Sequence, residues 1–414
     1  MALLVSKGLS SRLCAIALAC GIAGLASCAV PTKPSPPPAP VVVLPPPPVA
    51  GHPMTSDSPA FLRLPNIDPS QTPVRVGMIL PLSGGPPAAR ALAAAMAKAA
   101  QLALYDAKNP NIILMTADEG SNPEDAATAA TKLLAQGAEV IIGPLFGPSV
   151  TAVAPLARDR GVPVLAFSTE KAVAGNGAYL LSFLPQSEVK RVVNYAFAQG
   201  HHNFAAMVPE GEYGDVVADA FADAVKSAGG TSVDVEHFAP NTNTVMTPSA
   251  AVAKTSADAL MIGQGGAILR AIAPSLSFSG LDRDKVKLLG TGLWDDPAVE
   301  REDMLLGGWF AAPDPDADAA FNTRYHDAFG ANPPQLASLA YDAVSLVALL
   351  SSGQPYHRFT QRALMDPNGF SGVDGIFRFN PDGTSERGLA VLEVAPDGFH
   401  VVSPAPKTFQ QPAS

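Results

Sequence analysis

The chain has 414 residues, 47% of them hydrophobic and 15% charged, and its 37 acidic against 27 basic side chains give a formal net charge of −10. Such a surface repels phosphate backbones and anionic lipid heads, which makes nucleic acid a poor partner. The length allows two domains of ordinary size. The most apolar later segment, Leu336 to Leu350, is too short for a membrane span and carries Asp342.

The first element reads as a secretory signal, residues 1–27. Lys7 and Arg12 precede an uncharged apolar run from Leu13 to Leu25, which ends in Leu25-Ala26-Ser27-Cys28. Cys14 and Cys20 leave with the signal. The mature chain then keeps Cys28 alone, with no internal disulfide and no cysteine-based metal site. Loss of Lys7 and Arg12 deepens the charge to −12. From Ala29 to Pro73, 15 of 45 residues are proline. Proline fixes φ and lacks the amide donor, so this segment is expected to be an extended tether. Fully extended at about 3.1 Å per residue it reaches roughly 140 Å.

The body begins with an apolar strand from Val74 to Leu80 and an alanine-rich helix from Ala88 to Ala107. A strand follows over Asn111 to Thr116. Asn122-Pro123-Glu124-Asp125 then opens a helix with a capping side chain, a proline where no amide is needed, and acids at the positive end. Glu139 to Ile142 and Val162 to Phe167 are strands, with a helix from Gly147-Pro148 between them. The rhythm restarts with strands at Asn203 to Val208, Ser232 to Phe238, Asp258 to Ile262 and Val286 to Leu289. The clearest helix among them runs from Asp215 to Ala228 and stops at Gly229-Gly230. Short apolar strands alternating with capped helices predict an α/β class with parallel sheets covered on both faces. Asp382-Gly383 and Asp397-Gly398 between apolar runs predict a small antiparallel meander at the end.

Six segments in order resemble the leucine-binding group of type I periplasmic binding proteins. They are Pro81-Leu82-Ser83-Gly84, Gly143-Pro144 with Ser149, Val162-Pro163-Val164, Glu212-Tyr213-Gly214, Ala340-Tyr341-Asp342-Ala343, and Gly375-Ile376-Phe377-Arg378-Phe379 leading to Asp382-Gly383. Others look like the penicillin-binding protein activators of that group: Ala166-Phe167-Ser168-Thr169, Lys171-Ala172-Val173-Ala174-Gly175, Tyr179-Leu180-Leu181-Ser182-Phe183 and Gly292-Leu293-Trp294-Asp295-Asp296-Pro297. Leu-Ala-Ser-Cys itself is similar to the lipobox of bacterial lipoproteins, in which the cysteine is acylated. The resemblance implies a two-lobed fold with three crossovers: lobe one at 74–184 plus 314–354, lobe two at 185–313 plus 355–403, and a tail at 404–414. It also implies a non-enzymatic periplasmic lipoprotein, anchored through Cys28 to the outer membrane, that docks on a penicillin-binding protein and regulates peptidoglycan synthesis. The alternative is a substrate-binding protein that delivers amino acids or amides to an ABC transporter.

Ligands of open α/β sheets sit beyond the carboxyl ends of the strands. That rule selects loops carrying Ser83, Phe146, Gly147, Phe167, Ser168, Thr169, Tyr213, Gln264, Trp294 and Asp295 as the ligand cleft. Their hydroxyls and helix-terminal amides suit a carboxylate, although Ser168 and Thr169 serve equally well as turn caps. By resemblance, Tyr213 is an aromatic wall, and Asp295 or Asp296 holds the ammonium of an amino-acid-like ligand. Asp296 also suits a cap beside Pro297. Gln264-Gly265-Gly266 stands where the group has a second tyrosine, and Trp294 adds bulk, which argues against free leucine-type amino acids. No cofactor, metal site or catalytic constellation is expected. The adjacent His201 and His202 diverge, Gly175-Asn176-Gly177 reads as a turn, and no nucleophile elbow occurs.

Overall fold

The computed structural model describes residues 61–66, 68 and 70–410. Cys28, expected to be acylated, and the proline runs of the expected tether lie outside the described residues. The end of the expected spacer is built into the body. Strand β1 (Phe61–Leu62) pairs antiparallel with Met115 and Leu114. Asn111 Nδ2 donates to Gln71 Oε1 at 2.7 Å, and Arg358 Nη2 donates to the Thr72 carbonyl at 3.2 Å. Phe61 to Leu64 contains no proline and so keeps its amides for a sheet edge, which an average over the whole segment hides.

The first sheet follows the expected alternation: β2 (Val74–Leu80), α1 (Pro87–Ala107), β3 (Ile112–Asp118), α2 (Pro123–Ala135), β4 (Val140–Ile142), α3 (Gly147–Arg158), β5 (Val164–Ala166) and β6 (Ala178–Leu180). The order is β1-β3-β2-β4-β5-β6, parallel except at β1. Every β2 residue except Arg75 is buried, because helices cover both faces of the sheet. Helix α2 starts as its sequence dictates: Asn122 Oδ1 accepts the Asp125 amide at 2.9 Å, a cap worth about 1 kcal/mol.

The second sheet draws on α4 (Pro185–Ala198), β7 (Asn203–Pro209), α5 (Glu212–Ala228), β8 (Thr231–Phe238), α6 (Met246–Val252), β9 (Ala259–Ile262), α7 (Gly266–Phe278), β10 (Lys287–Gly290) and β11 (Trp309–Ala312). The chain then returns to lobe one through α8 (Ala319–Phe329), α9 (Ala337–Leu350) and the short α10 (Gln361–Leu364). Helix α9 packs along α1, whose buried Ala93, Ala99, Ala100 and Ala103 let the two axes come close.

The predicted terminal meander is divided between two sheets. Strands β12 (Phe370–Gly372), β13 (Gly375–Phe379) and β14 (Ser385–Arg387) form a small antiparallel sheet, so Asp382-Gly383 joins β13 to β14. Strands β15 (Ala390–Ala395) and β16 (Gly398–Ser403) instead extend the second sheet, whose order is β16-β15-β11-β10-β9-β7-β8. Phe359, Leu364, Phe370, Phe377 and Phe379 are buried with α1 and α9. Residues 355–387 therefore pack with lobe one, not with lobe two as the sequence suggested. The three crossings lie at 181–184, 313–318 and 388–389. Among the described residues no helix is long and apolar enough to cross a membrane.

Candidate functional site

The loops at the carboxyl ends of the lobe-one strands are closed by the protein's own acids. Ser83 is exposed, and its hydroxyl donates to the Asp118 carboxylate, which also accepts the Leu82 amide at 2.9 Å and the Ser83 amide at 3.2 Å. Burial works to raise the Asp118 pKa, but these hydrogen bonds outweigh it and the group lies below the ordinary carboxylate value. Just before α3, Glu119 accepts the Leu145 amide at 2.9 Å and the Phe146 amide at 3.0 Å. Desolvation dominates there and raises the Glu119 pKa. Gly147 opens α3 against the Glu170 carboxylate, so close that any Cβ would overlap it. The Leu82, Ser83, Leu145 and Phe146 amides, which a ligand carboxylate could have used, are taken by the protein's own acids.

The neighbouring loop is structural. Ser168 Oγ accepts the Glu170 amide at 3.1 Å, the turn-capping role left open by the sequence. Thr169 is exposed beside it. Phe167 is a core residue of lobe one, 3% exposed, and its carbonyl accepts the Ser182 hydroxyl at 3.0 Å. It follows the apolar strand β5 and packs with that strand's neighbours rather than facing a cleft.

Lobe two brings together a different set. Tyr213, half-buried in the first turn of α5, shares a hydrogen bond with Thr291 Oγ1 at 3.1 Å. Burial raises the phenol pKa well above its ordinary value. Beside them stands Glu188, from the first turn of α4. Its Oε2 accepts the Gly292 amide at 2.9 Å, and burial pushes its pKa up to about 7 against the pull of that bond. An acid in a helix's first turn reads from sequence as a dipole partner. Glu188 was missed because its distance from Tyr213 in the chain hides their proximity in the fold.

Two predicted lobe-two residues serve packing. Trp294 is fully buried in the lobe-two core, and its Nε1 donates to the Gln264 carbonyl at 3.1 Å. It neither fills nor lines the cleft. Gln264 turns its amide onto the Gly265 carbonyl at 3.0 Å. Asp295 reaches the opposite lobe, accepting Gln335 Nε2 at 3.4 Å. Its outer edge is exposed, yet nearby atoms desolvate the carboxyl, and the charges of Asp318 and Asp296 raise its pKa further. Asp296 caps the following turn, with Oδ1 on the Ala298 amide at 2.9 Å.

His201 Nδ1 lies 3.7 Å from Asp258 Oδ1, a carboxylate distant in sequence, and desolvation still lowers its pKa. No group of three potential metal ligands occurs among the described residues.

Comparison with known proteins follows the same lines. The family profile described as periplasmic binding protein matches residues 73–398. A putative branched-chain amino acid ABC transporter protein from Rhodospirillum rubrum superposes with a TM-score of 0.71 at 20% identity, covering 80% of this chain and 100% of that one. A solute-binding protein from Rhodopseudomonas palustris BisB5, in complex with 3,4-dihydroxybenzoic acid, gives 0.58 at 18% identity, covering 81% and 97%. The substrate-binding protein LivJ of Streptococcus pneumoniae, in complex with isoleucine, gives 0.57 at 19%, covering 80% and 100%. An uncharacterized protein of Rickettsia prowazekii is 24% identical over 106 residues, 26% of this chain, and the chain spans only 28% of that relative's length. With two α/β lobes, three crossings and a family profile over most of its length, the chain belongs to the periplasmic binding protein family.

Proposed function

We propose that the protein is a periplasmic solute-binding lipoprotein, held to the membrane through Cys28, that takes a small organic solute between its lobes for a membrane transporter. The observation that carries this reading is the Tyr213–Thr291 hydroxyl pair with Glu188 behind it. These groups converge beyond the carboxyl ends of lobe-two strands, where open α/β sheets bind ligands. Relatives whose names refer to amino-acid transport and to bound 3,4-dihydroxybenzoic acid or isoleucine support the same reading. Binding of this kind needs no catalytic group.

The alternative, regulation of peptidoglycan synthesis by docking on a penicillin-binding protein, keeps its sequence motifs as support. Two aromatic residues of those motifs, Phe167 and Trp294, are occupied in the lobe cores. Solute binding is therefore the reading carried forward.

Thermal denaturation against a panel of amino acids, aromatic acids and amines provides the test. A ligand at about 100 times its dissociation constant adds about 2.7 kcal/mol, and Tyr213→Ala is expected to abolish that gain. A panel without effect, together with recovery of a peptidoglycan synthase in pull-downs, would reverse the order of the two readings. Cys28→Ser is expected to move the protein from the membrane to the soluble envelope fraction. Unchanged membrane retention would remove the lipid anchor from the proposal.

A further inference from the structure

Acids stand at the strand-end loops of both lobes. In lobe one, the amides before α3 that would receive a carboxylate are held by Glu119, and Glu170 lies against the first residue of that helix. Asp118 occupies the amides after β2. A ligand carboxylate would have to displace these groups and then remain beside them. The basic side chains nearby are engaged elsewhere: Arg90 donates to the Gly85 carbonyl, and Lys171 faces Asp382 of the β13–β14 hairpin.

Lobe two offers the complementary half. Glu188 is half-buried, and desolvation is the main influence on its carboxyl. One of its oxygens is held by Gly292, and among the described residues the other, Oε1, accepts no hydrogen bond. From α5 the titratable group facing it is the Tyr213 phenol, and from the turn after β10 come the Thr291 hydroxyl and the Gly292 amide. Among the described residues no lysine or arginine is paired with it. A carboxylate so placed lacks a counter-cation, and a ligand can supply one.

The rim points to an organic cation rather than a metal. Leu293 and Leu336 are 47% and 37% exposed. The Gln335–Asp295 contact joins the loops that carry them across the lobes. Exposed leucines at a rim suit a hydrocarbon body, and a single free carboxylate oxygen suits an ammonium.

We propose that the cleft binds a small organic amine with an apolar body and no carboxylate, its ammonium group on Glu188 and its body against the leucine rim. The proposal rests on the solute-binding reading above and departs from amino acids and benzoates as ligands. Because an ammonium binds the ionised carboxylate, uptake at neutral pH expels a proton from Glu188. Affinity therefore rises with pH between about 6 and 8, flattening above the Glu188 pKa of about 7.

Titration calorimetry on the full chain with tyramine and cadaverine, beside leucine and benzoate, tests this. The expected result is amine binding that strengthens with pH and releases protons in buffers of different ionisation enthalpy. Glu188→Gln should weaken it about tenfold or more and remove the pH dependence. A folded Glu188→Gln protein, checked by its melting temperature, that binds amines as before would overturn the proposal. Binding of leucine or benzoate in preference to the amines would overturn it too, while leaving the solute-binding reading intact. Silence of all four compounds, with pull-down of a synthase, would overturn both.

Discussion

Trp294→Ala is expected to cost about 3–5 kcal/mol of stability, the range for removing a large aromatic side chain from a core. The indole is fully buried among the residues of lobe two that include Leu288, Leu305 and Phe310. The backbone is shaped around it: a Cβ on Gly290 would lie 2.2 Å from the ring, and one on Gly308 would lie 2.9 Å from it. Glycine at both positions leaves a slot that no neighbouring side chain can refill. The void therefore stays open, and the Gln264 carbonyl loses its 3.1 Å partner. Trp294→Phe should cost less, because it keeps much of the ring volume and loses mainly the hydrogen bond. Urea denaturation of both variants checks this. A Trp294→Ala loss below about 1 kcal/mol would mean that the indole packs loosely, outside the range for buried aromatics. Thr291 and Gly292 precede this indole, so the variant is also expected to weaken solute binding.

Arg387→Leu is the second large effect, about 3–5 kcal/mol at neutral pH, as expected when one partner of a buried ion pair is removed. Arg387 Nη1 lies 3.7 Å from Asp342 Oδ2, with both side chains 1% exposed. The guanidinium also lies 4.5 Å from the Phe183 ring and 5.4 Å from the Phe377 ring, and its Nε donates to the Ser182 carbonyl at 3.2 Å. Ser182 and Phe183 of the first crossing and Arg387, the last residue before the third, thus meet Asp342 of α9 at one buried point. Asp374, also buried, brings a second acid to the same cation.

Desolvation raises the pKa of both acids, and Arg387 opposes that rise. The sign of the pH dependence follows. With folded-state pKa values above the unfolded ones, the folded protein holds protons that the unfolded chain releases. This contribution is complete below the ordinary aspartate value and is lost as pH climbs towards the raised one. Without Arg387 the two acids lie higher still, so the loss extends to higher pH. The penalty of Arg387→Leu should accordingly grow from pH 5 to pH 8. Denaturation of wild type and variant across that range measures it, and a small penalty independent of pH would contradict the account.

Most of the fold was legible because its signals are local. The apolar runs of β2, β7 and β9 are buried on both faces, and the Asn122 cap and the Gly229 stop act within a few residues of their helices. Strands β6 and β11, of three and four residues, lie outside the predicted strands. The hairpin signal at Asp382-Gly383 located a turn correctly. It could not say that the next strand, Ser385–Arg387, is too short to be seen and that the longer strand after it joins a different sheet.

The site was less legible, for a physical reason. Loop position beyond strand ends selected Tyr213, which meets Thr291, and Asp295, which meets Gln335. Whether a loop side chain faces the cleft or the core depends on neighbours far away in the chain. Trp294 turned inward because Gly290 and Gly308 make room for it. Glu119 took the Leu145 and Phe146 amides, and Glu170 lies against Gly147. Glu188 met Gly292 across 104 positions of sequence. No local pattern encodes such pairings.

The central claim is that this cleft holds a solute. Native mass spectrometry of the protein released from its own envelope tests it most directly. The account predicts one small bound molecule per chain, lost on denaturation and missing from Tyr213→Ala. Bare mass for both proteins, with a peptidoglycan synthase recovered in stoichiometric amount from the same envelope, would contradict it.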